Sequence, residues 1–362
     1  MNKIIDLDSQ PLIAIWETTV THGRCRDQNF RPADTKLELN DDEAEQLIRD
    51  VAELKPPVFV FAGADPLRRH GIYSLVQYAA SCNLHPVIQL TPASSVTRQT
   101  IAALKSSCLS RLSFTLDGAE SASHDVISGI PGSFAATLQS IKWANEARLP
   151  VQIHTNISRK NLGELSSISN LLMKYRIVMW SISFPVPGPD DSLRDLPSAT
   201  EFEEAFQTIY SLAQRVPFKV KTVEAQHYRR YVLQQRTRFR AFNGDSGRFP
   251  FFDTGIPGVL PVNEGMSTVY IKHNGDVLAG RSLDIPAGNV RREKLADLYQ
   301  NSPIFQSLRD PSNLKGKCGN CEFKEMCGGS RGRAWALSGD MFGQEESCMY
   351  LPLQGRQDQM VS

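Results

Sequence analysis

The chain has no apolar run long enough to cross a bilayer; its longest such stretches are strand-length, so no membrane partner is expected. It also lacks an excess of either charge, with 40 Lys and Arg against 39 Asp and Glu, a net +1. A balance this close gives no electrostatic basis for binding nucleic acid. No Ser/His/Asp arrangement, Walker loop or dinucleotide Gly-rich fingerprint is visible, which removes the commonest hydrolase, NTPase and NAD-dependent readings. Cysteine is scarce, at 7 of 362 residues. An odd number with four crowded together argues against a secreted disulfide framework. The opening Met-Asn-Lys-Ile-Ile-Asp-Leu-Asp is too acidic and too short in apolar run for a secretory leader, so a cytoplasmic protein is expected. Hydrophobic residues at 41% and charged residues at 22% are ordinary for a globular chain, and the length admits one large domain plus a smaller one.

What cysteine there is lies mostly near the C-terminus. Cys318, Cys321, Cys327 and Cys348 read C-x2-C-x5-C-x20-C. Thiolates at such spacing bind a soft centre, either an iron–sulfur cluster or a tetrahedral zinc. The glycines after Cys327 suit a cluster, because small residues let backbone N–H groups approach and hydrogen-bond the sulfurs. A structural zinc knot stays open as the alternative.

The first two-thirds of the chain alternate β-rich runs with helical segments. Strands are expected at 12–17, 58–62, 86–90, 111–116, 151–156 and 178–184, with helices at 41–54, 72–81, 96–106, 134–147 and 161–175 between them. Asn40 or Asp41 supplies the first N-cap. Six strands at intervals of about 30 residues mark parallel βα units, an α/β fold. Function in such a sheet sits beyond the C-terminal ends of the strands. The residues to inspect are therefore 18–25, 63–66, 91–94, 117–118, 156–158 and 185–189. Gln152, His154 and Asn156 share one face of their strand, which in a barrel is the interior, and suggest a polar pocket.

From about Gly188 the pattern changes. A helix is expected over 199–216. The stretch 228–240 carries Arg229, Arg230, Arg236, Arg238 and Arg240, read as a solvated helix face in preference to a site for an anionic substrate. Residues 249–263 look like a loop, and His273-Asn274-Gly275 signals a hairpin between 268–271 and 276–279. The expected organisation is a barrel over 1–187, a connecting, substrate-facing region over 188–264 and a small Cys-ligated domain over 265–362.

A partial βα barrel followed by a hairpin and a Cys-rich tail resembles the radical S-adenosylmethionine (radical SAM) enzymes with a SPASM-type C-terminal extension. The tail is similar in detail, from Ser302-Pro-Ile-Phe-Gln-Ser-Leu-Arg-Asp310 through Lys317-Cys-Gly-Asn-Cys-Glu322 to Cys327-Gly-Gly-Ser-Arg-Gly-Arg-Ala334, Gly339-Asp340 and Cys348. The resemblance implies a partial (βα)6 barrel and an auxiliary 4Fe–4S cluster on the four tail cysteines. It also implies C-x3-C-x2-C just after the first strand, where three thiolates hold a second cluster whose open iron takes SAM. Here that loop reads Thr18-Thr-Val-Thr-His22-Gly-Arg-Cys25-Arg26-Asp-Gln28-Asn29-Phe30. Ungapped, His22, Arg26 and Asn29 stand where the thiolates belong. Deleting one residue puts Cys25 in the middle, between His22 and Gln28. At most one thiolate remains, a carboxamide is a poor ligand for a soft cluster, and Arg26 adds a fixed positive charge. His22 and Cys25 are read as unliganded loop residues, and Cys82 and Cys108 as buried structural thiols.

The resemblance places the SAM amino group on a Gly-Gly-Glu-Pro-like turn, here Gly63-Ala64-Asp65-Pro66. A strand-to-helix turn begun by Pro66 also explains those residues, and Ala64 is costly if its position needs φ > 0 or close ligand approach. Asp117, with Asn156, is a candidate ligand contact at the barrel mouth, although an Asp-Gly turn also accounts for Asp117. The expectation is a divergent member that keeps the auxiliary cluster and has lost the SAM-cleaving one, so that SAM binding is doubtful. It would serve as a binding or electron-transfer partner, or as a pseudoenzyme beside an active radical SAM paralogue, in peptide or tetrapyrrole modification. An active radical SAM enzyme with atypical ligation and a zinc-stapled binding module are the alternatives.

Overall fold

A computed structural model describes residues 6–20, 37–91, 96–188, 193–243 and 265–353. The N-terminal part alternates strands β1 (Ile13–Glu17), β2 (Val58–Ala62), β3 (Pro86–Leu90), β4 (Arg111–Thr115), β5 (Val151–Asn156), β6 (Met179–Ser183) and β7 (Lys219–Val223) with helices. The helices are α1 (Asp41–Leu54), α2 (Ile72–Ser81), α3 (Arg98–Ser106), α4 (Ser121–Ser128), α5 (Ser133–Glu146), α6 (Leu165–Leu172) and α7 (Ala199–Ala213), and α8 (His227–Asn243) follows β7. The C-terminal part adds β8 (Thr268–Ile271), β9 (Asp276–Gly280), β10 (Leu283–Asn289), α9 (Leu295–Asn301), α10 (Pro303–Arg309), α11 (Gly316–Gly319) and α12 (Arg331–Ser338).

Local chemistry sets these boundaries. The Asn40 side chain accepts from the Glu43 N–H at 3.0 Å while the Glu43 carboxylate accepts from the Asn40 N–H at 2.9 Å, a capping box that starts α1. Lys55, left-handed at φ 52°, ends it. Alternate strand residues Trp16, Phe59, Phe61, Ile88, Leu112, Ile153, Trp180 and Ile182 are fully buried in one core with Leu47, Ile48, Val51, Val76 and Ile141 of the covering helices. Burying each such side chain contributes about 1.5–3 kcal/mol, so this layer dominates the stability of the barrel.

The ten strands make one sheet in the order β10-β9-β8-β1-β2-β3-β4-β5-β6-β7. Strands β1 to β7 are parallel neighbours, as the βα rhythm implies. The expected α/β partial barrel is present, with two additions. The strand β7 was not anticipated. Its Lys-Val-Lys-Thr-Val alternation hides a strand, because Lys219 and Lys221 dilute the apolar signal. The expected hairpin forms as β8 and β9, but β8 also pairs parallel with β1, Ile13 opposite Thr268 and Trp16 opposite Ile271, so it extends the barrel sheet at its other edge. Among the described residues no helix is long and apolar enough to cross a membrane.

Candidate metal centre and barrel mouth

The parallel strands all end on one side, and the residues beyond those ends form the mouth. Gly63, directly after β2, has φ +124°, and a Cβ there would lie 2.6 Å from the Thr19 carbonyl oxygen. Only glycine lets β2 approach the segment after β1 this closely. Ala64 is buried, takes a negative φ, and donates its N–H to the same carbonyl at 3.2 Å. The backbone cost anticipated for its Cβ is therefore absent. Asp65 accepts from the Leu67 N–H at 3.3 Å and caps a short 3-10 turn, Pro66–Arg68, begun by the proline.

Asp117, just past β4, and Asn156, ending β5, are brought together. One Asp117 carboxylate oxygen accepts from the Asn156 backbone N–H at 2.6 Å and its side-chain amide at 3.3 Å. Burial pushes the Asp117 carboxyl up to about 7, against the pull of those donors. Its own N–H donates to His124 Nδ1 at 3.0 Å, and its carbonyl accepts from the Asn161 amide at 2.8 Å. The strand register puts Gln152 and His154 on the same inner face as Asn156. Gln152 accepts from Arg111 at 2.8 Å and donates to Ser181 at 3.0 Å. Burial pushes His154 down to about 4; Asn156 opposes this, while the charges of Lys221 and Arg281 reinforce it. At the hairpin tip, His273 Nδ1 lies 3.1 Å from the Glu17 carboxylate at the end of β1. Sequence reading missed that pair, because the two residues meet only through the β1–β8 pairing.

His22, Cys25, Arg26, Gln28 and Asn29 lie outside the described residues. Cys82 and Cys108 follow α2 and α3 and precede β3 and β4, which puts them at the end of the barrel opposite the mouth. Cys82 is only half-buried, and Cys108 is exposed, at φ 61° in the turn into β4. The expectation that both are buried is corrected.

In the tail, Cys318, Cys321, Cys327 and Cys348 line one cavity together with His227, Arg230, Lys317, Gly328, Gly329, Glu345 and Tyr350. Among the described residues no three or more His, Cys, Asp or Glu side chains form a group that could hold a single metal ion as they stand, so the four thiols share a cavity without converging on one point. The donor chemistry nevertheless fits a soft metal centre. Burial pushes Cys327 up to about 12, with Cys348 and Cys318 adding to the rise. Cys321 and Cys348 are also raised, chiefly by burial. Thiols crowded in this way become thiolates only if positive charge joins them, which a metal supplies. Backbone donors are already aimed at sulfur: the Glu345 N–H donates to Cys318 Sγ at 3.3 Å. Gly328 and Gly329 have φ of 66° and 67°, and a Cβ on Gly329 would meet Glu345 Cβ at 2.8 Å. Glycine at 329 is thus required by its positive φ and by the close approach of the Arg331 and Glu345 side chains, while Cys318 Sγ would lie in ordinary contact at 3.6 Å.

One wall of this cavity comes from α8. His227, 1% exposed, packs against Phe202 and Phe206, with ring centroids at 5.2 and 4.8 Å. Both of its ring nitrogens are buried without a partner. Arg230 pairs with Glu203 and stands over the Tyr350 ring at 5.3 Å, while Arg229 donates to the Met326 carbonyl at 3.2 Å. Arg229 and Arg230 are each 4% exposed, which corrects the reading of a solvated helix face for these two residues. Glu345, which lines the cavity, forms an ion pair with Arg333 at 2.8 Å, each side chain 1% exposed. Arg333 also donates to the carbonyls of Pro185 at 3.0 Å and Glu224 at 2.6 Å, and so ties α12 to the segments following β6 and β7.

Residues 29–172 match the Radical SAM superfamily. The chain is 30% identical to an AdoMet-dependent heme synthase of Methanosarcina barkeri over 96% of this chain and 99% of that protein. A PqqA peptide cyclase of Rhodopseudomonas palustris is 25% identical over 88% of this chain and 81% of that protein. Among solved structures, Streptococcus suis SuiB bound to precursor peptide SuiA has the same fold, with a TM-score of 0.71 at 15% identity, covering 94% of this chain and 76% of SuiB. With this parallel barrel, its Cys-lined tail and a relative matched along almost its whole length, the chain belongs to the radical SAM superfamily, among its SPASM-type members.

Proposed function

We propose that this protein holds an auxiliary 4Fe–4S centre on Cys318, Cys321, Cys327 and Cys348 and has lost the SAM-cleaving cluster. It then acts as a binding or electron-transfer partner in peptide or tetrapyrrole modification, beside a radical SAM paralogue or another electron donor. The distribution of thiols carries this reading. Four line one cavity, whereas the 18–30 loop contains Cys25 alone and Cys82 and Cys108 lie at the far end of the barrel.

Bound in the tail, a 4Fe–4S cluster supplies one-electron transfer at a potential set by charge, hydrogen bonds to sulfur and exposure. The chain's own part is to hold it through four thiolates, to aim the Glu345 N–H at Cys318, and to offset thiolate charge with Arg230 and Lys317. At the mouth, Gly63, Ala64, Asp65, Pro66, Asp117 and Asn156 remain as the residues that would meet SAM or a substrate. The relatives named heme synthase and peptide cyclase support a tetrapyrrole or a peptide as that substrate. The same reading keeps the three-part organisation, 1–187, 188–264 and 265–362, and a cytoplasmic location.

Anaerobic reconstitution tests it. About four irons per chain are expected, and about eight would overturn the loss of the second cluster. Stoichiometric zinc without iron would overturn the cluster itself. A second reading, an active enzyme with atypical ligation, is favoured by the near full-length match to an AdoMet-dependent heme synthase. Formation of 5′-deoxyadenosine from SAM under strong reduction would select it.

A further inference from the structure

We infer that His227 donates a hydrogen bond to a sulfur of the tail's metal centre, so that a helix following the last barrel strand sets the redox poise of a centre whose ligands all lie in the tail. The inference rests on the iron–sulfur reading above. His227 is 1% exposed, lines the same cavity as the four cysteines, and has no partner at either ring nitrogen. Every tautomer of an imidazole carries at least one N–H, so a residue that lines that cavity is left with a buried, unused donor.

The obvious competitor for this donor is Glu345, but His227 makes no hydrogen bond to it, and three other donors already reach it. One of its oxygens takes Arg333 at 2.8 Å and the Ser330 N–H at 2.9 Å, and the other takes the Ser347 N–H at 3.0 Å. Phe202 and Phe206 pack against the ring, with centroids at 5.2 and 4.8 Å, and offer its nitrogens no acceptor. Arg230, three residues on and lining the same cavity, is paired with Glu203. Four cysteines already complete a ligand set, which leaves His227 the role of donor and not of ligand. A hydrogen bond to sulfur stabilises the reduced, more electron-rich state and raises the potential.

The test compares iron-loaded wild type with H227F and H227Q, in full-length protein, by redox titration followed with electron paramagnetic resonance. H227F keeps a ring between Phe202 and Phe206 but has no donor, whereas H227Q keeps an N–H. The expected result is unchanged iron and sulfide in both variants and a lower potential in H227F. The expected size is about tenfold in reduced fraction at fixed potential, or about 59 mV for one electron. H227Q should stay near wild type. An unshifted potential in H227F would overturn the inference, and so would loss of iron, which would make His227 a ligand. If H227F does not fold, H227L gives the same comparison. A wild type that takes up no iron refutes the iron–sulfur reading itself, whereas an iron-loaded wild type with an unshifted H227F refutes only the role of His227.

Discussion

Replacing Arg333 with Met removes a charge that several partners share where α12 meets the barrel. Its guanidinium pairs with Glu345 at 2.8 Å, donates to the carbonyls of Pro185 and Glu224, and lies 4.9 Å from the Phe202 ring centroid. Met fills much of the volume but leaves Glu345 as a buried, unpaired carboxylate. Breaking one side of such a pair costs about 3–5 kcal/mol. Two backbone N–H groups still reach Glu345, which places the expected loss nearer the lower figure. The charge of Arg333 is foremost among the influences holding Glu345 down to about 2, against burial that raises it. A depressed carboxylate contributes stability that is present above its unfolded pKa and is lost as pH falls through the folded one. The gap between wild type and R333M should therefore be full at pH 7 and shrink between about pH 4.5 and 2. Urea unfolding of proteins matched in iron content measures it, with R333M/E345Q completing the cycle. The double variant should recover part of the loss, because the carboxamide that replaces the Glu345 carboxylate is neutral, although its single oxygen keeps only one of the two backbone donors, from Ser330 and Ser347. A loss below about 1 kcal/mol, or no recovery in the double variant, would refute the argument that this pair joins tail to barrel.

Asp117, raised to about 7, should lower stability as pH climbs from about 4 to 7, since the folded state holds a proton that the unfolded state releases. D117N should abolish that slope and exceed wild type at pH 8 by about 1–4 kcal/mol, read from unfolding midpoints across pH. For Gly63→Ala the new Cβ would sit 2.6 Å from a carbonyl oxygen at φ +124°, and a loss of about 1–3 kcal/mol should appear as a lower melting temperature. Ala64→Gly, at a relaxed φ, should stay within about 1 kcal/mol of wild type. Cys321→Ser should reduce iron content after anaerobic loading while Cys108→Ser leaves it unchanged; equal iron in both would remove Cys321 from the ligand set.

Most of the barrel was legible because its signals are local. Strands β2, β3 and β5 match the expected bounds residue for residue: β2 and β3 are apolar-rich runs, β2 closed by the Gly63 turn, and β5 alternates buried Val151, Ile153 and Thr155 with polar Gln152, His154 and Asn156. The capping box at Asn40 and Glu43 fixes the start of α1 in the same way. β7 escaped notice because two lysines interrupt a five-residue strand. The pairing of β8 with β1 escaped for a different reason: parallel neighbours far apart in sequence leave no turn signal between them. Nor does an apolar period report α4, Ser121–Ser128, whose only buried residue is His124.

The tail cysteines were readable because ligand spacing is itself a sequence signal, whereas the polar groups around them were not. His227, Arg229 and Arg230 sit in a helix whose arginines read as solvated, and charge in a sequence defaults to the surface. What buries these residues is supplied from elsewhere: Glu203 on α7, Phe202 and Phe206 beside it, the Met326 carbonyl and Tyr350 in the tail. An interior cation is stable only beside such partners. Its burial is therefore a property of the pair and cannot be read from either residue alone. The same reasoning applies to Arg333, whose partners come from 185, 224 and 345. A thiol cage can be recognised from one short stretch of chain, but the helix that closes it and the ion pair that fastens it exist only once barrel and tail have met.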